Sequence, residues 1–209
     1  MDCRTGLSVF AVLAAALLSD CGDHEAPTSA PAVSLRPLAP DELLTALAAV
    51  PARAGELPER TFSVPHLQLT QGGPVELADR LVEAIDRLDS VTIGSVTLLR
   101  DGGLLYDGRS WLLTAGAGGG PDAERFDGQA FGHMHHASNN SMHLHLPREV
   151  ARGAVRDGGW GETHPFSAMN GLGTDNADYV MLWGARTEEE LEIVWLFVQV
   201  AYSHARGLL

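Results

Sequence analysis

Five of the chain's nine histidines fall within thirteen positions, in GHMHHASNNSMHLHL (132–146). Imidazole is the side chain whose ordinary titration lies near neutral pH, and its neutral form is a common metal ligand. What such a cluster does depends on which rings share a face. In an extended strand, residues two apart share one. FGHMHH therefore groups Phe131, His133 and His135, with Met134 opposite. SMHLHL groups His143 and His145, with Met142, Leu144 and Leu146 opposite. The intervening ASNN is turn chemistry, because Asn tolerates positive φ. A three-residue loop, Ser138–Asn140, pairs His135 with His143 and His133 with His145, and turns Met134, Leu144 and Leu146 inward together. A two-residue Asn-Asn turn moves the register by one and separates the histidines. The first pairing is expected, because it buries every apolar residue at once.

Three readings of that face compete. One is a hairpin whose polar side happens to be histidine. Another is a metal site of His133, His135 and His143, suited to Zn, Fe or Cu, with Glu149, Glu162 or His164 completing the shell. No H-E-x-x-H spacing accompanies it. The third is metal-free acid–base chemistry tuned by neighbouring charges.

Other chemistries are excluded or weakly signalled. The chain contains no lysine, all fourteen basic residues being arginine, so neither a Schiff base nor a Walker-type phosphate loop can form. A formal charge of −13 without a basic stripe argues against nucleic acid as a partner. No G-x-S-x-G nucleophile elbow occurs. GAGGGPDAE (116–124) lacks the G-x-G-x-x-G spacing and reads as a flexible loop. Of the four tryptophans, Trp160 stands out by its glycine-rich surroundings; the others read as core.

The elements that must position these residues follow from periodicity. A short helix begins at Pro40 and Asp41, with Leu43, Leu44, Leu47 and Val50 on one side. TFSVPHLQL (61–69) reads as an extended piece. A stronger helix begins near Pro74, where Leu77, Leu81, Ile85 and Leu88 recur at helical spacing. Strands are expected at 90–99, 109–115 and 179–185, with GGLLYDG punctuating the first two. A helix with Pro147 in its first turn runs to about Arg156, and residues 157–178 are turn-rich. Thr187 and Glu190 form a capping box for a last helix that is apolar on more than one face. Together these predict an α+β domain, an antiparallel sheet with helices packed on it.

The N-terminus reads as a leader. An apolar run of twelve (7–18) has the length of a signal-peptide core and is too short to span a bilayer. Cys21 follows in LLSDC, and residues 22–39 are a polar, Pro- and Ala-rich linker. Residues 1–21 thus resemble a bacterial lipoprotein leader with Cys21 as the lipidation site, although Asp20 stands where such leaders carry a small residue. The expected location is exported and membrane-anchored, periplasmic or at the cell surface. An ordinary secretory signal and a soluble product are the alternative. Cys3 leaves with the leader, so the domain at 40–209 would hold no cysteine chemistry.

Two longer stretches carry a resemblance. GHMHHASNNSMHLHLPREVARGAVRDGGWGETHPFSA and the later YVMLWGARTEEELEIVWLFVQVAYSHA resemble the fungal luciferase domain family and its bacterial relatives, over residues 126–206. The family pattern has H-x-H, a turn, then H-L with an apolar flank and a helix. G-W-[GA]-x-x-H-P-[LF] follows, then a strand ending in [YW]-[GA]-x-R and an acidic, apolar helix. His133, His135, His143, Trp160, His164, Pro165 and Arg186 fall on these positions, while His136 and His145 depart from the pattern. The resemblance implies an oxygenase in which a 3-hydroxy-α-pyrone such as 3-hydroxyhispidin reacts with O2 through a peroxide, losing CO2, without an added cofactor. It implies His133, His135, His143 and His164 as catalytic residues, and Trp160, Phe131 and Arg186 as substrate-binding residues. The expected substrate is a small, flat, acidic enol; a metal- or ligand-binding lipoprotein without turnover is the alternative.

Overall fold

The computed structural model of the chain describes residues 34–62, 66–100, 103–136, 139–165, 167 and 173–209, with backbone alone for 96–100 and 103–107. The leader, Cys21 and the linker up to residue 33 lie outside the described residues.

Strands β1 (Val91–Arg100), β2 (Gly103–Leu113), β3 (Ala130–Met134), β4 (Met142–Pro147), β5 (Gly161–Thr163) and β6 (Ala177–Leu182) form one sheet in the order β1-β2-β3-β4-β6-β5, every pairing antiparallel. Helices α1 (Pro40–Ala48), α2 (Val75–Asp86), α3 (Ala123–Phe126), α4 (Arg148–Val150) and α5 (Glu188–Ala205) complete the fold. The α+β expectation holds.

Helix α5 is the principal packing partner of the sheet. Thr187 caps it by accepting from the Glu190 backbone N–H, which is half of the expected capping box. The Glu190 carboxylate accepts from the Arg186 N–H and from Arg53 instead of returning to Thr187. Leu191, Val194, Phe197, Val198 and Val200 are buried in one core with Leu144, Leu146, Val180 and Leu182 of β4 and β6. Helix α2 adds Leu77, Leu81 and Ile85 to that core, and Asp86 at its end accepts the Trp111 indole N–H at 3.0 Å. In α1 only Leu43 is fully buried; Leu44, expected on the same apolar side, is exposed.

Several local expectations are corrected. Residues 103–108 of GGLLYDG do not punctuate two strands but lie inside β2, because β1 and β2 pair as a long hairpin with Arg100 opposite Gly103. The glycine-rich 116–124 loop is partly ordered: residues Gly120–Asp122 form a 3₁₀ turn that runs into α3, and Gly119 forms a bridge to Arg206. Pro147 ends β4 rather than opening a helix. The helix after it starts at Arg148 and continues as a π-helical stretch, Ala151–Asp157, with the Trp160 N–H reaching back to the Val155 carbonyl at 2.8 Å. Within the turn-rich 157–178 region lies β5, which alternation over three residues was too short to signal.

Away from the sheet, Glu190 receives Arg53 at 3.0 Å and also pairs with Arg186, both its carboxylate oxygens being engaged. Burial pushes the Glu190 carboxyl upward, but the hydrogen bonds from Arg186 and Arg53 outweigh it and hold the pKa near about 2. The Arg53 side chain is only 3% exposed, so losing its partner strands a buried cation. Glu190→Gln is expected to cost about 3 kcal/mol at neutral pH, measured by urea unfolding. Because the folded pKa lies below the unfolded one, this stabilisation is complete above about pH 4.5 and is lost as pH falls towards about 2. The gap between wild type and variant should therefore narrow in acid, and a gap that widens there would contradict the pairing.

Candidate functional site

Strands β3 and β4 meet with His133 opposite His143, Gly132 opposite Leu144 and Met134 opposite Met142. The expected pairing of His135 with His143 and His133 with His145 is thus displaced by two residues. The cause is the connecting loop, which is longer than three residues. The His135 N–H donates to the Ser141 carbonyl, and the N–H groups of Asn139 and Asn140 both turn back to the His135 carbonyl. Asn140 takes φ +59, and the Asn139 side-chain oxygen accepts from the Ser141 N–H at 3.0 Å. A shift of two keeps every side chain on its face. His133, His135, His143 and His145 therefore still share one side, while Met134, Met142, Leu144 and Leu146 lie in the core. Gly132 permits the close approach, since a Cβ there would stand 2.8 Å from the His143 carbonyl oxygen.

Three further elements complete the face. On β6, Tyr179 lies opposite His145; its ring stacks on His143 at 5.2 Å and its hydroxyl meets His133 Nδ1 at 3.0 Å. Beyond β5, the His164 N–H bonds to the Tyr179 carbonyl, which sets the His164 ring 5.0 Å from that of His143. Over the top folds a narrow ribbon in which Arg60 bridges Gln68, tied by Thr61 N–H to Leu67 O and Leu69 N–H to Glu59 O. It delivers His66, whose ring lies 4.9 Å from His164 and 5.6 Å from His143.

Burial and hydrogen bonding fix the state of these rings. His66, His135, His143, His145 and His164 are buried, and His133 is partly exposed. Desolvation, then the neighbouring His135, His145 and His164, push His133 down to about 3. Desolvation, then His143 and His66, push His135 to about 2. His143 is driven well below its ordinary value by burial and by His133 and His164. Burial and His66 lower His164 to about 4, against an opposing pull from Glu162. These four rings are neutral at pH 7.

The tautomers follow from partners. His143 Nε2 donates to the His66 carbonyl at 3.1 Å, leaving a lone pair on Nδ1. The Ser141 hydroxyl directs its proton to Asn139, so it accepts from His135 Nδ1–H at 3.0 Å and the lone pair of that ring is on Nε2. His66 Nε2–H donates to Glu162 at 2.5 Å, and Glu162 also pairs with Arg60. One ring nitrogen each from His66, His143 and His164 lie within 4.8 Å of one another, and the same holds for His133, His135 and His143. The two triads share His143. The neutral rings of His133, His135, His143 and His164 can accept protons or ligate a metal; they cannot serve as standing cations.

Other residues expected at the site are placed elsewhere. Phe131 sits at a bulge, where Trp111 pairs with Gly132 but Leu112 pairs with Ala130. The irregularity breaks the alternation and turns the Phe131 ring towards Tyr202 of α5, 6.0 Å away. Trp160 is 3% exposed, with its ring 6.4 Å from Phe197 and its N–H on the Pro51 carbonyl, so it does not flank the histidines. Arg186 pairs with Glu190 and donates to Gln71 and the Ala54 carbonyl. Glu149 is not part of either triad. His145 is taken up by Arg125 at 3.1 Å and the Phe131 carbonyl, and His136 forms a surface pair with Asp79 at 2.7 Å. Sequence reasoning did not single out His66 or Tyr179. His66 is an isolated histidine in VPHLQL with no partner at any recognisable spacing, whereas Tyr179 shares the two-residue alternation of its strand with Met181.

Residues 128–201 match the family model of the Luciferase domain. The matched segment carries β3, β4, β5 and β6 with most of α5, and so includes His133, His135, His143 and His164 of the histidine face. It supports a luciferase-domain family for this part of the chain. The ribbon with His66 lies before the matched segment. No curated protein and no solved structure matches the chain.

The buried rings make stability acid-sensitive. Each has a folded pKa below its ordinary value of 6.5, so the unfolded chain binds more protons between the two. Stability is therefore full above about pH 6.5 and falls as pH drops, by about 1.4 kcal/mol per pH unit for each ring. The urea midpoint is expected to fall steeply from about pH 7 to 5. A midpoint that stays level over this range would show that the rings are not buried uncharged.

Proposed function

We propose that the histidine face is the reaction centre of a luciferase-like, oxygen-dependent enzyme acting on a small, flat, acidic enol of the hydroxypyrone type. The observation that carries this reading is the convergence of His133, His135, His143 and His164, all within the Luciferase-domain match, on one face as neutral imidazoles. Light emission is not required by it.

Chemically, an electron-rich enolate can pass electrons to O2 once its proton is removed and the growing oxyanion is met by donors. His133 is the one partly exposed residue of these four histidines, and in the tautomer that donates Nδ1–H to Tyr179 its Nε2 lone pair can take the enol proton. A proton placed there is held weakly, because His135, His145 and His164 disfavour the cation, so it passes readily to a nascent peroxide. The Tyr179 hydroxyl, which meets His133 while its own ring stacks on His143, is a neutral donor for developing negative charge. Carbon–oxygen bond formation at the enolate carbon would consume one O2 per substrate and give a hydroperoxide, the stage at which CO2 loss follows in the resemblance described above.

The same reading places the chain outside the cytoplasm, tethered through lipidated Cys21, with O2 and the small substrate as its partners. A secreted soluble form is the alternative for the leader.

Oxygen consumption with a 3-hydroxy-α-pyrone, followed with an oxygen electrode, tests the function. His133→Ala is expected to lower turnover about 100-fold or more, as loss of a general base does. His143→Ala should do the same, and circular dichroism of both variants separates lost chemistry from lost fold. Activity unchanged in a folded His133→Ala protein would end the assignment.

A further inference from the structure

We propose that His66, His143 and His164 bind one divalent transition-metal ion, oriented by Glu162 from outside the ligand shell. Any role of the ion in turnover rests on the oxygenase reading above; its binding does not.

The donor set points to this triad rather than to its neighbour. Two of its rings are 2–3% exposed and each keeps one nitrogen, Nδ1 of His66 and Nδ1 of His143, buried without any hydrogen-bond partner. A buried lone pair left unmet costs on the order of 1–3 kcal/mol, which a ligated ion would recover. The other nitrogen of each ring is committed: His66 Nε2 to the Glu162 carboxylate at 2.5 Å and His143 Nε2 to the His66 carbonyl at 3.1 Å. A ligating histidine almost always donates its second N–H to a carboxylate or carbonyl, which fixes the tautomer and sharpens the ligand. Both forms of that support occur here. In the other triad, His135 Nδ1 engages Ser141 and His133 Nδ1 engages Tyr179, an arrangement suited to proton transfer.

Distance and chemistry agree. The candidate donor atoms of His66, His143 and His164 lie within 4.8 Å of one another. Nitrogens on one tetrahedral ion, at a bond length of about 2.0–2.1 Å, stand about 3.3 Å apart, so a small inward tilt of the rings closes the site. Three imidazole nitrogens suit Zn(II), Fe(II) or Co(II) and leave a fourth position open. The triad of the alternative metal reading, His133 with His135 and His143, also has its nitrogens within 4.8 Å of one another, and the proposed site shares His143 with it. The ion would sit on the ribbon side of the face, behind the partly exposed His133.

The test uses untagged full-length chain, stripped with a chelator and titrated with Co(II). Binding is read from visible ligand-field absorption and confirmed by elemental analysis after Zn(II) loading. One equivalent is expected. His66→Ala and His164→Ala should each weaken binding at least 100-fold. Glu162→Gln, which leaves every ligand in place and is the variant least prone to misfold, should weaken it about 10–100-fold. His135→Ala should bind as wild type does. The proposal is overturned if the stripped chain takes up no stoichiometric Co(II), or if folded His66→Ala binds normally while His135→Ala does not. Substrate is absent from these titrations, so the two readings fail separately. A chain that binds one ion but consumes no O2 with the hydroxypyrone refutes the oxygenase alone. A stripped chain that turns over normally without the ion, and takes none up, refutes the metal site alone.

Discussion

Uncharged imidazoles packed ring against ring are the constraint on which the rest of this structure depends. A neutral imidazole has one N–H and one lone pair, and burial makes both costly to leave unmet. The fold answers ring by ring. Ser141 receives the N–H of His135, the His66 carbonyl that of His143, Glu162 that of His66, and the Tyr179 hydroxyl engages His133. Each acceptor comes from a different element: the β3–β4 loop, the covering ribbon, β5 and β6. Meeting one nitrogen of each of these four rings thus ties together segments far apart in the chain, although Nδ1 of His66 and Nδ1 of His143 stay unmet.

The ribbon illustrates this dependence most clearly. It contributes His66, yet its own cross-chain pairing is a single bridge, so it must be held by what lies beneath and beside it. Asn139 donates to the Gln68 carbonyl, Asn140 to the Gly73 carbonyl, and Gln68 accepts from the Gly184 N–H. Arg186 reaches from the start of α5 to Gln71 and Ala54, at the ribbon's flanks, while Glu190 holds Arg186 in place. The asparagines of the turn and the arginine of the WGAR segment therefore act as clamps on the cover. Arg186, expected from the resemblance to touch substrate, influences the site by positioning the ribbon that carries His66.

How much of this was legible in the sequence follows from the range of each signal. Period-two alternation acts over a few residues, and it correctly put His133, His135, His143 and His145 on one side with the apolar residues of β4 on the other. It survived a wrong loop length because a two-residue slip preserves faces. It failed at Phe131, where a bulge inserts one residue and reverses the ring, and at β5, where three residues carry no pattern. His164 was recoverable through the GETHP motif of the resemblance, and Thr187 with Glu190 through capping chemistry. His66 was not recoverable. Its place is set by tertiary contacts with Glu162 and His143, at sequence separations of 96 and 77, and nothing local encodes them.

These separations also explain why the face divides in two. On the side away from the ribbon, His133 is partly exposed and meets Tyr179, whose hydroxyl can either give or accept a proton. On the ribbon side, His66 and His143 are sealed, and the ionised group that meets His66 is Glu162, itself balanced by Arg60. A carboxylate there favours whatever positive charge the inner rings come to hold, whereas burial and the neighbouring histidines make His133 and His135 resist protonation. The same residue type is thus given opposite electrostatic surroundings a few ångströms apart, with His143 common to both groups. Charge brought to the inner group would be felt by His133 through that shared ring, 4.9 Å away, and would lower its basicity further. An ion bound by the inner group and a proton moved by the outer one, as proposed above, would therefore be coupled by geometry, since His143 belongs to both groups.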